Sequence, residues 1–216
     1  MNYLAHLQLA RVSGTSPAGN LLGDFVKGAV PDDLARELAI GIRLHRRIDV
    51  FTDAHPEHRA VVASFQPPWR RFGGILADML YDHFLSLHWS RFSRQPLPEF
   101  LDYNYAVLLG SEVRHPALFP EGLPRPLRRM AEQDWLSTYA RIDGLRQALD
   151  GIGRRLRRPI ALGDGLDTID GRQWAAMEEG FLRFYPQLIT YAAAEAITIS
   201  TDPALQGALS DRFPWK

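Results

Sequence analysis

The sequence predicts an all-α protein, folded as a single-domain helical bundle over residues 1–216. Apolar residues recur at helical spacing through most of the chain, and Pro- and Gly-containing breaks divide it into segments of helical length. No segment reads convincingly as a strand. With 46% hydrophobic and 23% charged residues, a chain of 216 residues can bury one sizeable core, so we expect one domain.

The first half of the chain contains five predicted helices, separated by turns. Ser16 and Pro17 supply a cap and a first-turn residue for the second helix, and Gly28 ends it. The fifth follows the break at Gln66-Pro67-Pro68, and its crowded apolar positions predict that it is mostly buried. The predicted helices cover residues 2–10, 17–28, 31–52, 56–65 and 70–92.

The second half predicts three further helices, after Pro96 and Pro98 end the fifth. We expect them at 99–111, 125–149 (in one or two pieces) and 172–196. The segment GDGLDTIDG at 163–171 predicts a loop because it is rich in Gly and Asp. The segment TYAAAEAITIS at 190–200 is compatible with helix or strand.

Composition excludes several classes of protein. No apolar run approaches the roughly 20 residues that span a bilayer, and the first residues do not resemble a signal peptide. The chain has no cysteine, which removes disulfides, thiolate ligands and a cysteine nucleophile. We expect a cytoplasmic protein. The net charge of +0 argues against a general polyanion binder, and no motif predicts nucleic-acid binding.

The positive charge is almost entirely arginine, and it is clustered. Lys27 and Lys216 are the only lysines. One arginine cluster lies in PRPLRRM and another in GRRLRRP, where it comprises Arg154, Arg155, Arg157 and Arg158. These clusters are either a solvated helix face or a docking patch for an acidic partner, since guanidinium groups suit carboxylates and phosphates.

Three segments each carry a pair of metal-compatible side chains four residues apart. The pairs are Asn20 with Asp24, His45 with Asp49, and Asp78 with Asp82. Residues at i and i+4 share one helix face, and carboxylates on apolar faces require a partner or a cation. The three pairs therefore predict helices that converge on one polar, metal-containing centre, as in a helical metallohydrolase. Imidazole and carboxylate ligands suit Mn²⁺, Fe²⁺, Zn²⁺ or Mg²⁺.

Structural roles are open alternatives for the same residues. Asp78 and Asp82 could form a buried salt bridge with Arg43 or Arg47. Asp24 could make a core hydrogen bond or cap a helix. His6 could be an ordinary core histidine, and His83 cannot closely share a helix face with Asp82.

Four long motifs resemble those of the acyl carrier protein phosphodiesterases. They are MNYLAHLQLA, GNLLGDFVKG, GIRLHRRIDVFTDAHP and RFGGILADMLYDHFL, in this order and spacing. The resemblance implies a fold related to the HD-domain metal-dependent phosphohydrolases. It implies hydrolysis, by metal-activated water, of the phosphodiester that joins 4′-phosphopantetheine to a serine of acyl carrier protein. The cation expected from it is Mn²⁺, with Mg²⁺ or Fe²⁺ possible.

The resemblance also implies roles for particular residues. Those that match the family's presumed metal site are Asp24, His45, Asp49, Asp78, Asp82 and His83, with His6 in the family's opening motif. Among them, Asp24, Asp82 and His83 are the candidates for catalytic proton transfer. The cluster Arg154–Arg158 would dock the acidic carrier protein. Two rival hypotheses are an HD-like hydrolase of a nucleotide or alarmone, and a non-catalytic module that binds the carrier protein.

Overall fold

The computed structural model describes residues 1–31, 33–119 and 121–202, which form helices joined by turns and longer non-helical segments. No β-strand occurs in these ranges, so the all-α prediction is confirmed. Three short 3₁₀ turns, at 69–72, 116–118 and 163–168, supplement the α-helices. The α-helices are α1 (Tyr3–Ser13), α2 (Pro17–Leu22), α3 (Arg36–Ala54), α4 (Pro56–Ser64), α5 (Gly73–Leu87), α6 (Trp89–Phe92), α7 (Leu97–Arg114), α8 (Pro124–Glu132), α9 (Trp135–Thr138), α10 (Ile142–Gly153) and α11 (Gly171–Ser200).

The predicted helices of the first half are present, with three corrections. The predicted helix 70–92 is divided into the 3₁₀ turn at 69–72, α5 and α6, and His88 separates the last two. Ser16 caps α2 by accepting from the Gly19 N–H, and Pro17 occupies its first turn, as expected. However, α2 ends at Leu22 rather than Gly28, and only a hydrogen-bonded turn continues to Val26. The next helix begins at Arg36 rather than Pro31, because Ala35 has a ψ of 130° and is not helical.

The second half also differs from prediction in its boundaries. The segment 125–149 forms three helices rather than one or two, because Asp134, at a φ of 44°, breaks the chain between α8 and α9. The predicted loop at 163–171 is largely a 3₁₀ turn. The ambiguous segment 190–200 is helical and completes α11. We still expect an HD-like arrangement of these helices, and that part of the fold prediction stays a prediction.

The core lies around α5, as its apolar sequence predicts. Eleven of the fifteen residues of α5 are buried, including Tyr81 and Phe84. The long helix α11 covers α1 and α3 and places Phe181, Phe184 and Tyr185 in the same core. Among the described helices, none has the length and hydropathy needed to cross a bilayer.

Helices α2 and α3 approach each other at two glycines. A Cβ on Gly19 would lie 2.7 Å from the Leu38 carbonyl oxygen, and one on Gly41 would lie 2.8 Å from the Gly19 Cα. No side chain fits between backbones at that distance, so both positions require glycine. The contact places the end of α2 directly beside the middle of α3.

We expect Gly41→Ala to destabilise the fold by about 1–3 kcal/mol, the usual cost of overpacking a tight contact. The measurement is the free energy of unfolding from urea denaturation. Gly110→Ala is the matched control: it lies inside α7, and a Cβ there meets nothing within 4 Å. This control should be neutral or stabilising by up to about 1 kcal/mol. Equal effects from both variants would contradict the role of the α2–α3 contact.

Candidate metal centre

The first three helices bring four of the predicted site residues together. His6 comes from the middle of α1, and His45 and Asp49 lie one turn apart on α3. Asp24 follows α2, in the turn that the α2–α3 contact holds against α3. Of the residues in the three predicted pairs, Asp24, His45 and Asp49 therefore converge, and His6 of the family's opening motif joins them.

Two histidines form the floor of this cluster and two carboxylates form its edge. The His6 and His45 rings are stacked, with 4.0 Å between their centroids and an angle of 21° between their planes. Both histidines are 2% exposed. The side chains of Asp24 and Asp49 are 47% and 36% exposed, so the cluster opens to solvent through its carboxylates.

Asp49 connects the two histidines. Its Oδ1 lies 3.2 Å from His6 Nε2 and its Oδ2 lies 3.0 Å from His45 Nε2. His45 Nε2 is also 3.4 Å from Asp24 Oδ1, so this nitrogen faces both carboxylates. The arrangement concentrates two nitrogen and two carboxylate donors around one small volume.

The charges in this cluster differ between the two imidazoles. Burial opposes protonation of His45, but its hydrogen bonds to Asp24 and Asp49 outweigh that effect and raise its pKa to about 9. Burial, together with repulsion from His45, lowers the pKa of His6 to about 4. The pKa of the Asp24 carboxyl is lowered: burial would raise it, but the bond to His45 prevails. The pKa of Asp49 is held well below its usual range in the same way, against burial, by its bonds to both histidines.

These residues are suited to hold a divalent cation. Donor atoms of His6, His45 and Asp49 lie within 4.8 Å of one another. The Nδ1 atoms of both histidines are buried and make no hydrogen bond to any described residue, which is costly for purely structural histidines. Imidazole nitrogens with carboxylate oxygens form a donor set typical of Mn²⁺, Fe²⁺ and Zn²⁺ sites.

Asp78 lies beside the cluster rather than inside it. Its Oδ1 is 3.0 Å from the Met1 amino group, which is in turn 3.5 Å from Asp49 Oδ1. Burial opposes the charge on this amino group, but Asp78 and Asp49 raise its pKa to about 10. The Met1 amino group thus links Asp78 to Asp49. Arg43 and Arg47, considered as partners for Asp78 and Asp82, instead lie near Asp202 and Glu195.

Asp82 is fully buried and caps the N-terminus of α1. Its Oδ2 accepts the Leu4 N–H at 2.9 Å and its Oδ1 accepts the Ala5 N–H at 3.0 Å. The residue at the usual capping position, Asn2, makes no capping hydrogen bond. Burial raises the pKa of the Asp82 carboxyl to about 7, although both N–H groups act to lower it. Both oxygens are therefore already engaged in holding α1 against α5.

His83, which the family resemblance places at the presumed metal site, lies outside the cluster. Its Nδ1 lies 2.6 Å from the Tyr139 carbonyl oxygen, and its ring contacts Trp174 edge-on. It lines an open cavity of about 490 Å³ that it shares with Trp174 and Arg146. None of the four clustered residues lines that cavity.

Gly23 is a determinant of the cluster's geometry that the sequence pattern does not reveal. A Cβ on Gly23 would lie 2.2 Å from His45 Cγ, so only glycine lets the turn before Asp24 pass over the His45 ring. In the sequence, Gly23 is one residue of the motif GNLLGDF, and nothing in that motif indicates a contact with His45. A contact between residues 22 positions apart leaves no periodic trace by which it could be found.

The arginines at 154–158 lie in the turn after α10. Arg154, Arg155, Arg157 and Arg158 are all exposed, and none makes an ion pair with a described residue. By contrast, Arg128 of the other cluster binds Glu112 at 2.9 Å. The four arginines at 154–158 are hereafter called the arginine turn.

The comparisons with known proteins identify the family. The family model described as acyl carrier protein phosphodiesterase matches residues 1–188. The chain belongs to this family. The matched range includes all four residues of the cluster, the Asp82 cap and the arginine turn.

Curated relatives with the same name match over almost their whole length. A relative from Enterobacter sp. (strain 638), named acyl carrier protein phosphodiesterase, is 36% identical over 196 residues, covering 89% of this chain and 97% of the relative. Relatives of the same name from Escherichia coli O157:H7 and Salmonella agona are each 36% identical over 201 residues, covering 91% of this chain and 100% of theirs. No solved structure matches the chain significantly.

We expect His45→Ala to weaken divalent-cation binding by more than the roughly 10–100-fold that loss of an outer partner costs. The measurement is calorimetric titration with Mn²⁺ as probe. His88→Ala is the matched control, because His88 pairs with Glu178 at 2.6 Å, outside the cluster. Asp82→Asn should lower the free energy of unfolding but leave cation affinity unchanged. A loss of affinity in His88→Ala equal to that in His45→Ala would place the cation elsewhere.

Proposed function

We propose that this protein hydrolyses the phosphodiester between 4′-phosphopantetheine and a serine of acyl carrier protein, giving the apo carrier protein. The observation that carries the proposal is the open His6–His45–Asp49 cluster, with Asp24 at its edge, in a chain of this family. Family membership favours this reaction over a nucleotide or alarmone hydrolase and over a non-catalytic binding module. A cytoplasmic location stays a prediction.

His6, His45 and Asp49 are the residues we assign to cation binding. A divalent cation bound there supplies Lewis-acid polarisation of the phosphate and acidifies a water molecule. We propose Mn²⁺ in preference to Mg²⁺, because Mg²⁺ favours oxygen ligands and waters, whereas this cluster offers two imidazoles. Fe²⁺ fits the same donors. Stacking of the two rings on a buried floor restrains their orientation.

Asp24 is the group we assign to proton transfer. Its carboxylate lies at the open edge of the cluster, with Oδ1 3.4 Å from His45 Nε2, and nearly half of its side chain is exposed to approaching substrate. It can accept the proton of the attacking water and return it to the departing serine oxygen. Asp82 and His83 have structural partners on the protein backbone, so we assign Asp82 to positioning α1 and give His83 no proton-transfer step.

The arginine turn is the surface we assign to carrier-protein docking. Its guanidinium groups are exposed and have no carboxylate partner among the described residues. Exposed guanidinium forks bind carboxylates in two-point contacts, which suits the acidic surface of a carrier protein.

We expect the purified protein to remove phosphopantetheine from holo-acyl carrier protein in the presence of Mn²⁺, and a chelator to stop the reaction. Mass spectrometry of the carrier protein measures the loss. Asp24→Asn should bind Mn²⁺ but lose most of the activity, since the amide cannot accept a proton. His88→Ala should keep its activity, because His88 lies outside the cluster. An unchanged carrier mass with the cation bound would contradict the proposal and favour a nucleotide hydrolase.

We expect the double variant Arg157→Glu, Arg158→Glu to raise the KM for holo-acyl carrier protein at least about tenfold, because like charges then oppose docking. The rate with a small phosphodiester should be unchanged. The control is the double variant Arg70→Glu, Arg71→Glu, which changes two exposed arginines that are consecutive in the chain but lie outside the arginine turn. If both substrates are affected equally, the arginine turn does not act in docking.

A further inference from the structure

A second cavity, of about 260 Å³, is lined by residues that lie close in the chain to His6 and Asp24 of the candidate metal centre. On one side the cavity is lined by Tyr3 and Phe25, which come from the same segments as His6 and Asp24. Leu127, Met130 and Trp135, from α8 and α9, line the opposite side. Arg155 of the arginine turn is the one charged lining residue in the described part of the chain. The cavity therefore has apolar walls and a single cationic group.

Two residues that line the cavity are close in the chain to residues of the metal centre. Tyr3 and His6 are three residues apart on α1 and so share one face, and Phe25 directly follows Asp24. Burial raises the pKa of the Tyr3 hydroxyl to about 12; Asp24 adds to the rise and Arg155 opposes it. The Tyr3 hydroxyl is thus within electrostatic reach of both the centre and the arginine turn.

Two polar groups of this cavity have no partner in the described residues. The Tyr3 hydroxyl makes no hydrogen bond there, and Arg155 makes neither a hydrogen bond nor an ion pair. A ligand with amide groups can use both, since a hydroxyl donates and accepts and a guanidinium donates. Aromatic and aliphatic walls suit methylene and methyl groups between such amides.

We propose that this cavity holds the pantetheine arm of the substrate while its phosphate lies at the metal centre. The inference rests on the proposed function, and it names the part of the substrate that the protein recognises. Pantetheine is a slender chain of methylenes, methyl groups and two amides, and these match apolar walls that carry separate polar groups. At about 260 Å³ the cavity lies just below the roughly 300–1,000 Å³ of most small-molecule sites, which suits such an arm without a long acyl chain.

The test measures pantetheine binding to the protein stripped of metal with a chelator, by calorimetry and ligand-observed NMR. We expect saturable binding in the wild type and an affinity at least tenfold weaker in Gly122→Trp. Gly122 lines the cavity, and a Cβ there meets nothing within 4 Å, so the larger side chain can enter without displacing the backbone. Gly171→Trp is the matched control, because Gly171 is exposed on the first turn of α11 and equally unobstructed.

The outcomes separate this inference from the proposed reaction. In turnover assays, Gly122→Trp should raise the KM for holo-acyl carrier protein and leave a small phosphodiester unaffected. If the wild type cleaves the carrier protein but does not bind pantetheine, and Gly122→Trp cleaves it normally, the inference is overturned and the reaction stands. If pantetheine binds and Gly122→Trp abolishes binding, but no cleavage occurs, the cavity assignment is supported and the reaction fails. Binding of adenosine monophosphate in place of pantetheine overturns the assignment.

Discussion

The backbone contact between α2 and α3 determines where the site's side chains lie. Gly19 and Gly41 let the two helices touch without side chains between them, and Gly23 then carries the chain across the His45 ring. This path of the backbone places Asp24 Oδ1 3.4 Å from His45 Nε2. The three glycines contribute no functional group, yet the separation of the carboxylate and the imidazole depends on them.

Charge balance is the second constraint on this region. Asp24 and Asp49 face the same imidazole nitrogen, so a positive charge between them is strongly favoured. Without a cation, that charge is the proton on His45. The pKa of the neighbouring His6 is lowered by burial and, in addition, by repulsion from the stacked His45 ring. Metal ligands must be deprotonated, so cation binding and the protonation of His45 are mutually exclusive. The two carboxylates thus favour either a protonated His45 or a bound cation at this position.

Much of this arrangement could be predicted from the sequence, because helical spacing reports which residues share a face. Spacing predicts the His45–Asp49 pair and also indicates Asp24, and the family motifs add His6. The role of Asp82 could not be predicted from spacing. It shares a face with Asp78, but its partners are backbone N–H groups of α1, 77 and 78 residues away in the chain. Periodicity identifies a face and not what packs against it, so a helix cap and a metal ligand look alike in the sequence.

The arginine turn also has a consequence for how the molecule moves toward a partner. The formal charges of the chain sum to zero, so four exposed guanidinium groups on one turn, without an ion pair to any described residue, imply an excess of acidic groups elsewhere. Such a distribution gives the protein an electric dipole, and an acidic molecule diffusing nearby would be drawn preferentially to its positive end. This attraction extends only about 8 Å at physiological ionic strength. The acidic partner would therefore be oriented only once it is close to the protein surface. Added salt would lower the association rate.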